Sequence, residues 1–399
     1  MPLFFTISAV FFSFPLLSPA IGMVLYPFLL FGLRDALVWP IPNSRASAVA
    51  ILLLFGTGLL TLIDPVAAAR TLAFCCGLCF LHVAMKDPRK RALILNLTAV
   101  HAWIVITQLA LVMGGIEIDF SKLLRLVYGP LLPPTGIHID YNAFSQIDLF
   151  IPRVAGLSRE PAFASVLFLG MTFVAVRIKR YKLAILFTAA TLCTLSKIVF
   201  PLILALALSW FAKRGLSRRI RSIAINFALV ATIHLGVILA VAFFLEEVEV
   251  AMALDASFYH RFIGLYTFAT QWDVIRWAGN SIDTISQADI FSTYEFLDDK
   301  RAFLDGSVIS KIAVDFGYAA LLLYFLLISI LCARWPTIVA TVVAGIFINL
   351  ISVSPATILL FWLATGLYAD ALDPAEGRAR KLMHQTGSPR PLLQVQGSL

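Results

Sequence analysis

Of the 399 residues, 60% are hydrophobic and only 14% charged, and the mean hydropathy is +0.91. A soluble domain carries about 25% charged residues, so the composition excludes an ordinary soluble globular fold and predicts a chain that crosses a membrane repeatedly. The net charge of +8 does not point to nucleic acid, because the basic residues cluster between apolar runs, where they anchor topology.

The N-terminal stretch MPLFFTISAVFFSFPLLSPA has no basic leader region and runs on into apolar sequence, so it reads as a retained helix rather than a signal peptide. Apolar runs predict helices near 3–14 and 18–33, broken around Pro15 and Pro19. Others follow near 47–63, 68–85, 92–113, 162–176, 183–196, 198–212, 222–245, 308–332, 336–351 and 355–370. The expected fold is therefore an all-α polytopic membrane helical bundle of about twelve transmembrane helices, spanning residues 1–372. Runs such as 223–245 do not alternate, which excludes a β-barrel. Several runs are shorter than the roughly 20 residues that cross about 30 Å of hydrocarbon, which implies bilayer thinning or half-depth packing. Residues 373–399 are polar, with Gly and Pro, and read as a disordered cytoplasmic tail.

Charge orients these spans. The clusters KDPRKR (86–91), RIKRYK (177–182) and KRGLSRRIR (213–221), with Arg34, Arg45, Arg334 and the tail, hold 20 of the 31 basic residues and belong in the cytoplasm. Two long loops, 114–161 and 246–307, hold 16 of the 23 acidic residues, five in the first and eleven in the second, and belong outside. This is consistent only if residues 181–211 cross twice, with Ser196 and Lys197 at the outer tip. Cys75, Cys76, Cys79, Cys193 and Cys332 lie in or near apolar runs without His or carboxylate partners, so they read as packing residues; no metal site and no disulfide framework is expected. No internal repeat and no matching pair of broken helices is visible, which argues against an inverted-repeat transporter.

One stretch stands apart. PRVAGLSREPAFASVLFLG (152–170) places Arg153, Arg159 and Glu160 just before an apolar run. Pro161 suits the first turn of a helix. The free N–H groups of that turn and two guanidinium groups then converge, which is how a phosphate-type anion is bound. Arginine serves better than lysine because its planar fork matches phosphate oxygens. The plainer reading is an interfacial anchor. Glu160 either accepts a proton from a hydroxyl or holds one of the arginines in an ion pair.

The sequence R-x-x-G-x-x-x-E-P formed by Arg153, Gly156, Glu160 and Pro161 resembles the motif before a central helix of Wzy-type polysaccharide polymerases and O-antigen ligases. TLSKIV (194–199) resembles the family's Ser-Arg pair at an outer helix tip, here Ser196-Lys197. SFYHRFIGLYTFATQWDVIRWAGNS (257–281) resembles its large-loop segment, in which an arginine precedes a helix and a Gly-containing turn. DGSVISKIAVDFGYAALLLYFLL (305–327) resembles its re-entry helix, with Asp315 before Gly317. Ligases carry a His-Asn pair where this chain has Asp305-Gly306, so the resemblance favours an exopolysaccharide polymerase.

The resemblance implies a donor glycan on undecaprenyl pyrophosphate and, as acceptor, the next lipid-linked repeat unit, at the periplasmic face of a bacterial inner membrane. A sugar hydroxyl attacks the anomeric carbon and lipid pyrophosphate leaves. That leaving group is a stable anion, so the reaction needs cations to hold it and one base near the hydroxyl. Arg153, Arg159 and Arg261, with Arg276, Lys197 and Ser196, are the candidates to bind the pyrophosphate without metal or cofactor. Glu160, His260 and Asp305 are the candidate bases; His260 titrates in a suitable range, and it also reads as an ordinary loop histidine. Membrane lipid is an obligate partner, and the resemblance implies a polysaccharide copolymerase as well. His101 and His234 lie in mid-span, where a neighbouring helix satisfies a neutral imidazole unless the group has a direct role. Trp272 and Trp277 read as interfacial belt residues or sugar-stacking platforms. Residues 119–129 read as a helix along the membrane surface. The rival readings are an O-antigen ligase or other lipid-linked-sugar glycosyltransferase, and a transporter of lipid-linked oligosaccharide.

Overall fold

The computed structural model describes residues 65–116, 154–156, 158, 161–196, 199, 203, 223–254, 256–279, 281, 284–285, 307–332, 335–347, 355–365 and 367–372. Among them the regular structure is entirely helical. The helices are α1 (Pro65–Lys86), α2 (Pro88–Met113), α3 (Pro161–Arg177), α4 (Tyr181–Cys193), α5 (Ile223–Phe243), α6 (Leu245–Leu254), α7 (Ala256–Thr270), α8 (Val308–Leu331), α9 (Trp335–Phe347), α10 (Pro355–Ala364) and α11 (Tyr368–Leu372). The expected spans at 68–85, 92–113, 162–176, 183–196, 222–245, 308–332, 336–351 and 355–370 each meet one of these helices. Those at 3–14, 18–33, 47–63 and 198–212, the surface helix at 119–129 and the tail at 373–399 lie outside the described residues.

Proline sets the starts of α1, α2, α3 and α10, where its missing N–H is one that no helix could bond. Asp87 adds a cap to α2, accepting from the Arg89 amide at 2.9 Å. α2, α5 and α8 are long and apolar enough to cross a membrane. Val100 and Trp103 on α2, Ile185 and Leu192 on α4, and Leu235, Leu239 and Phe243 on α5 are exposed. Apolar side chains on this scale at the surface suit lipid rather than water.

α1, α2, α3, α4, α10 and α11 pack as one group and α5 to α9 as another, with α9 against α10 between them. Within the first group Trp362 donates its indole N–H to His82 Nδ1 at 3.2 Å, and Phe74 meets Phe361 edge to face at 5.2 Å. α3 and α10 approach closely at Gly170, where a Cβ would lie 2.7 Å from Leu359. Within the second group Asn226 of α5 donates to the Ser329 and Cys332 carbonyls, each at 3.0 Å, satisfying the end of α8.

Two features differ in detail from the expectations. The loop at 246–307 holds two helices, and the one that the resemblance implies after an arginine contains Arg261 instead: α6 and α7 form a hairpin beside α5, tied by the Tyr266 hydroxyl donating to Glu249. Burial and that hydrogen bond to the carboxylate push the Tyr266 hydroxyl up to about 12, so it remains a donor. The span near 308–332 is not one regular helix: Gly317 breaks α8 with φ 84° and ψ 177°.

Candidate functional site

Residues 154–156 and 158 do not lie on the surface. Val154, Ala155 and Ser158 are buried, and a turn closes from the Ser158 amide to the Ala155 carbonyl at 3.0 Å. Two side chains of α2 hold them. The Gly156 amide donates to Gln108 Oε1 at 2.8 Å, and His101 Nε2 lies 3.3 Å from the Ala155 carbonyl. A carbonyl only accepts, so Nε2 carries the proton in this contact. His101 also packs on Phe168 of α3, with ring centroids 5.0 Å apart.

The glycine in this segment is required twice over. Its φ is +60°, and a Cβ would lie 2.6 Å from Val105 Cγ2 and 2.9 Å from His101 Nε2. Gln108 and His101 lie roughly 8 Å and 18 Å along the axis from the Met113 end of α2, at 1.5 Å per residue. The segment is thus inset against the flank of the helix.

α3 then starts at Pro161, which is buried. It turns back into α4 through residues 178–180, with Lys179 at φ 61° and the Arg180 amide bonded to the Ala175 carbonyl at 2.8 Å. The helices pack as a hairpin, so the end of α4 returns to the Pro161 end of α3. There the chain leaves the helix through Leu195 at φ 49°. A left-handed leucine costs roughly 1–2 kcal/mol. Next to it, Ser196 is 3% exposed, and its hydroxyl has no hydrogen-bond partner among the described residues. A buried helix start and a buried unpaired hydroxyl thus share one end of the hairpin, which suits a polar group entering from outside the chain.

A second unusual site lies at the break in α8. Past Gly317 the Tyr318 and Ala319 amides donate to the Arg276 and Trp277 carbonyls at 3.2 and 3.0 Å. The Val314 carbonyl accepts from the Ser281 amide at 2.8 Å, and the Ser281 hydroxyl accepts from the Arg276 amide at 2.9 Å. The Tyr318 hydroxyl reaches the Trp272 carbonyl. The turn after α7 therefore takes over the hydrogen bonds that the broken helix gives up. A Cβ on Gly317 would lie 2.6 Å from the Trp277 carbonyl oxygen. Just before the break Lys311 and Asp315 pair at 3.0 Å.

Of the residues expected to act, Ser196 is buried at the hairpin end, and Arg261 is half-buried on α7. Arg276 lies in the turn against the α8 break with its side chain exposed. His260 is in α7, but its side chain lies outside the described residues, as do Glu160, Asp305, Arg153, Arg159 and Lys197. Trp272 and Trp277 are exposed beside Arg276. Among the described residues no group of three or more His, Cys, Asp or Glu is placed to hold a metal.

Sequence reasoning passed over His101 and Gln108 as residues that position the motif. A signal was present: they lie seven residues apart, on the buried stripe of α2 that also carries Thr98 and Val105. No family model matches this chain, and no curated protein and no solved structure matches it either.

Proposed function

We propose that this chain is a membrane-embedded glycan polymerase of about twelve spans, oriented with its two large loops on the periplasmic side of a bacterial inner membrane. It joins undecaprenyl-pyrophosphate-linked repeat units into exopolysaccharide. The observation that carries this reading is the inset turn at Ala155 and Gly156, held by His101 and Gln108, which precedes a buried helix start beside a Ser196 hydroxyl that has no partner among the described residues. A surface anchor needs none of this; a binding site for a charged head group does.

In the proposed reaction a hydroxyl of the acceptor sugar attacks the anomeric carbon of the donor. The new C–O bond forms as the anomeric C–O bond to pyrophosphate breaks, and the pyrophosphate leaves with the electron pair. The hydroxyl proton passes to one of Glu160, His260 or Asp305. Arg153, Arg159, Arg261 and Arg276, with Lys197 and Ser196, balance the charge that gathers on the diphosphate. Such cationic clamps contribute orders of magnitude in rate.

The test is purified protein in lipid with lipid-linked repeat units, followed by gel analysis of the glycan. Chain lengthening supports the reading, and it is expected to persist in EDTA. Arg153→Ala, Arg159→Ala and Arg261→Ala, made singly, should each abolish the ladder at normal protein level. Full activity in all three would overturn the assignment, and transbilayer movement without lengthening would indicate a transporter instead.

A further inference from the structure

His234 lies in the middle of α5 and Tyr324 on the facing part of α8, both away from the inset segment and from the break at Gly317. His234 is 1% exposed and Tyr324 4%. The imidazole is held on two sides. Its ring stacks on Phe325 with centroids 4.6 Å apart, and Nδ1 lies 2.7 Å from the Val230 carbonyl. Because a carbonyl only accepts, Nδ1 carries the proton, and in the neutral ring Nε2 is then a bare acceptor.

Among the described residues that acceptor has no hydrogen-bond partner, and neither has the Tyr324 hydroxyl. The two rings face each other edge to face at 6.4 Å between centroids. The rings that carry an unpaired donor and an unpaired acceptor are therefore neighbours inside one helix interface. A third buried atom on the same face of α5, Asn226 Oδ1, is also unpaired, although its amide nitrogen binds two α8 carbonyls. Leaving each such atom dry is costly, and an apolar surrounding offers no other partner. A small molecule that both accepts and donates resolves the pair at once, and a polar site of this kind holds water.

We propose that the α5–α8 interface contains a specific water site in which one molecule accepts from the Tyr324 hydroxyl and donates to His234 Nε2. The site fastens the second part of the broken helix to α5 at mid-depth. The water's remaining donor and acceptor point to a short extension along the seam toward Asn226.

The test is X-ray hydroxyl-radical footprinting of the full chain in lipid nanodiscs, which oxidises buried side chains where a bound water is activated beside them. Tyr324 is expected to be modified within a few-fold of the rate of exposed Tyr181, and at least tenfold more slowly in a His234→Phe variant. Protection of Tyr324 in the unmodified chain would overturn the site and needs no variant to interpret. Thermal melting gives an independent sign. In a dry interface Tyr324→Phe removes an unpaired hydroxyl and raises Tm. In a hydrated one it strands His234 and lowers Tm, and the double variant His234→Phe/Tyr324→Phe recovers part of the loss. A rise in Tm for Tyr324→Phe would count against the proposal as firmly as protection from the radical.

Discussion

Gly156 and Gly317 do the same task by opposite means. Each allows a distant segment to come within van der Waals contact of a helix, and each has a positive φ that a side chain resists. At Gly156 the foreign segment is caught by side chains, His101 and Gln108 of α2. At Gly317 the helix itself is broken, and the backbone of residues 276–281 fills the gap. Side-chain anchors can be removed one at a time and relieved by neighbours. Backbone anchors are blind to most substitutions, except at the glycine that lets them in.

This contrast orders the expected effects. Gly317→Ala should be the most damaging, costing about 3 kcal/mol or more, because strain and a fixed carbonyl act together. Loss of monodisperse protein on size exclusion in detergent is the expected result, and near-normal yield would show that the break is not held by the backbone. Gly156→Ala should cost somewhat less, about 2 kcal/mol, since the obstructing atoms belong to Val105 and His101. Adding Val105→Ala should return part of that loss in a double-mutant cycle. Strict additivity would mean that the contact at Val105 is not what limits the site.

Gln108→Met removes the acceptor for the buried Gly156 amide and should cost about 1–3 kcal/mol. On the proposed function it should also reduce polymer yield well beyond the fall in protein level. Equal falls in both would reduce Gln108 to a folding residue. The smallest effect is expected for Lys311→Met, below about 1 kcal/mol, because its pair with Asp315 is partly exposed and spaced one helical turn. A large fall in Tm there would reveal that the pair helps to hold the break.

The helices were legible because apolar runs, prolines and basic clusters are local signals, and every described helix from α1 to α5 and α8 to α10 coincides with a run read from residue order. The break in α8 was not. A glycine in an apolar run fits a continuous helix as well as an interrupted one, and the deciding partners, Arg276 and Trp277, lie about forty residues upstream. The roles of His101 and Gln108 were hidden for the same reason, since the carbonyl and amide they hold are distant in sequence. Gly156 stood out only as one position of the R-x-x-G-x-x-x-E-P pattern; its left-handed φ and the lack of space for a Cβ against Val105 and His101 could not be read there. Ser196 was singled out for its place at a helix tip, and its burial without a partner is a property that no linear pattern contains.

The stretch of α8 beyond Gly317 is gripped at both extremities. The turn at 276–281 holds the amides of Tyr318 and Ala319, and Asn226 holds the carbonyls of Ser329 and Cys332. A helix end normally frays, because its last groups exchange freely with solvent. This one behaves as a strut of roughly 20 Å clamped at each bearing. Its terminal amides should exchange with deuterium as slowly as those of its centre, and a displacement of the turn at one end must move the whole rod rather than unwind it.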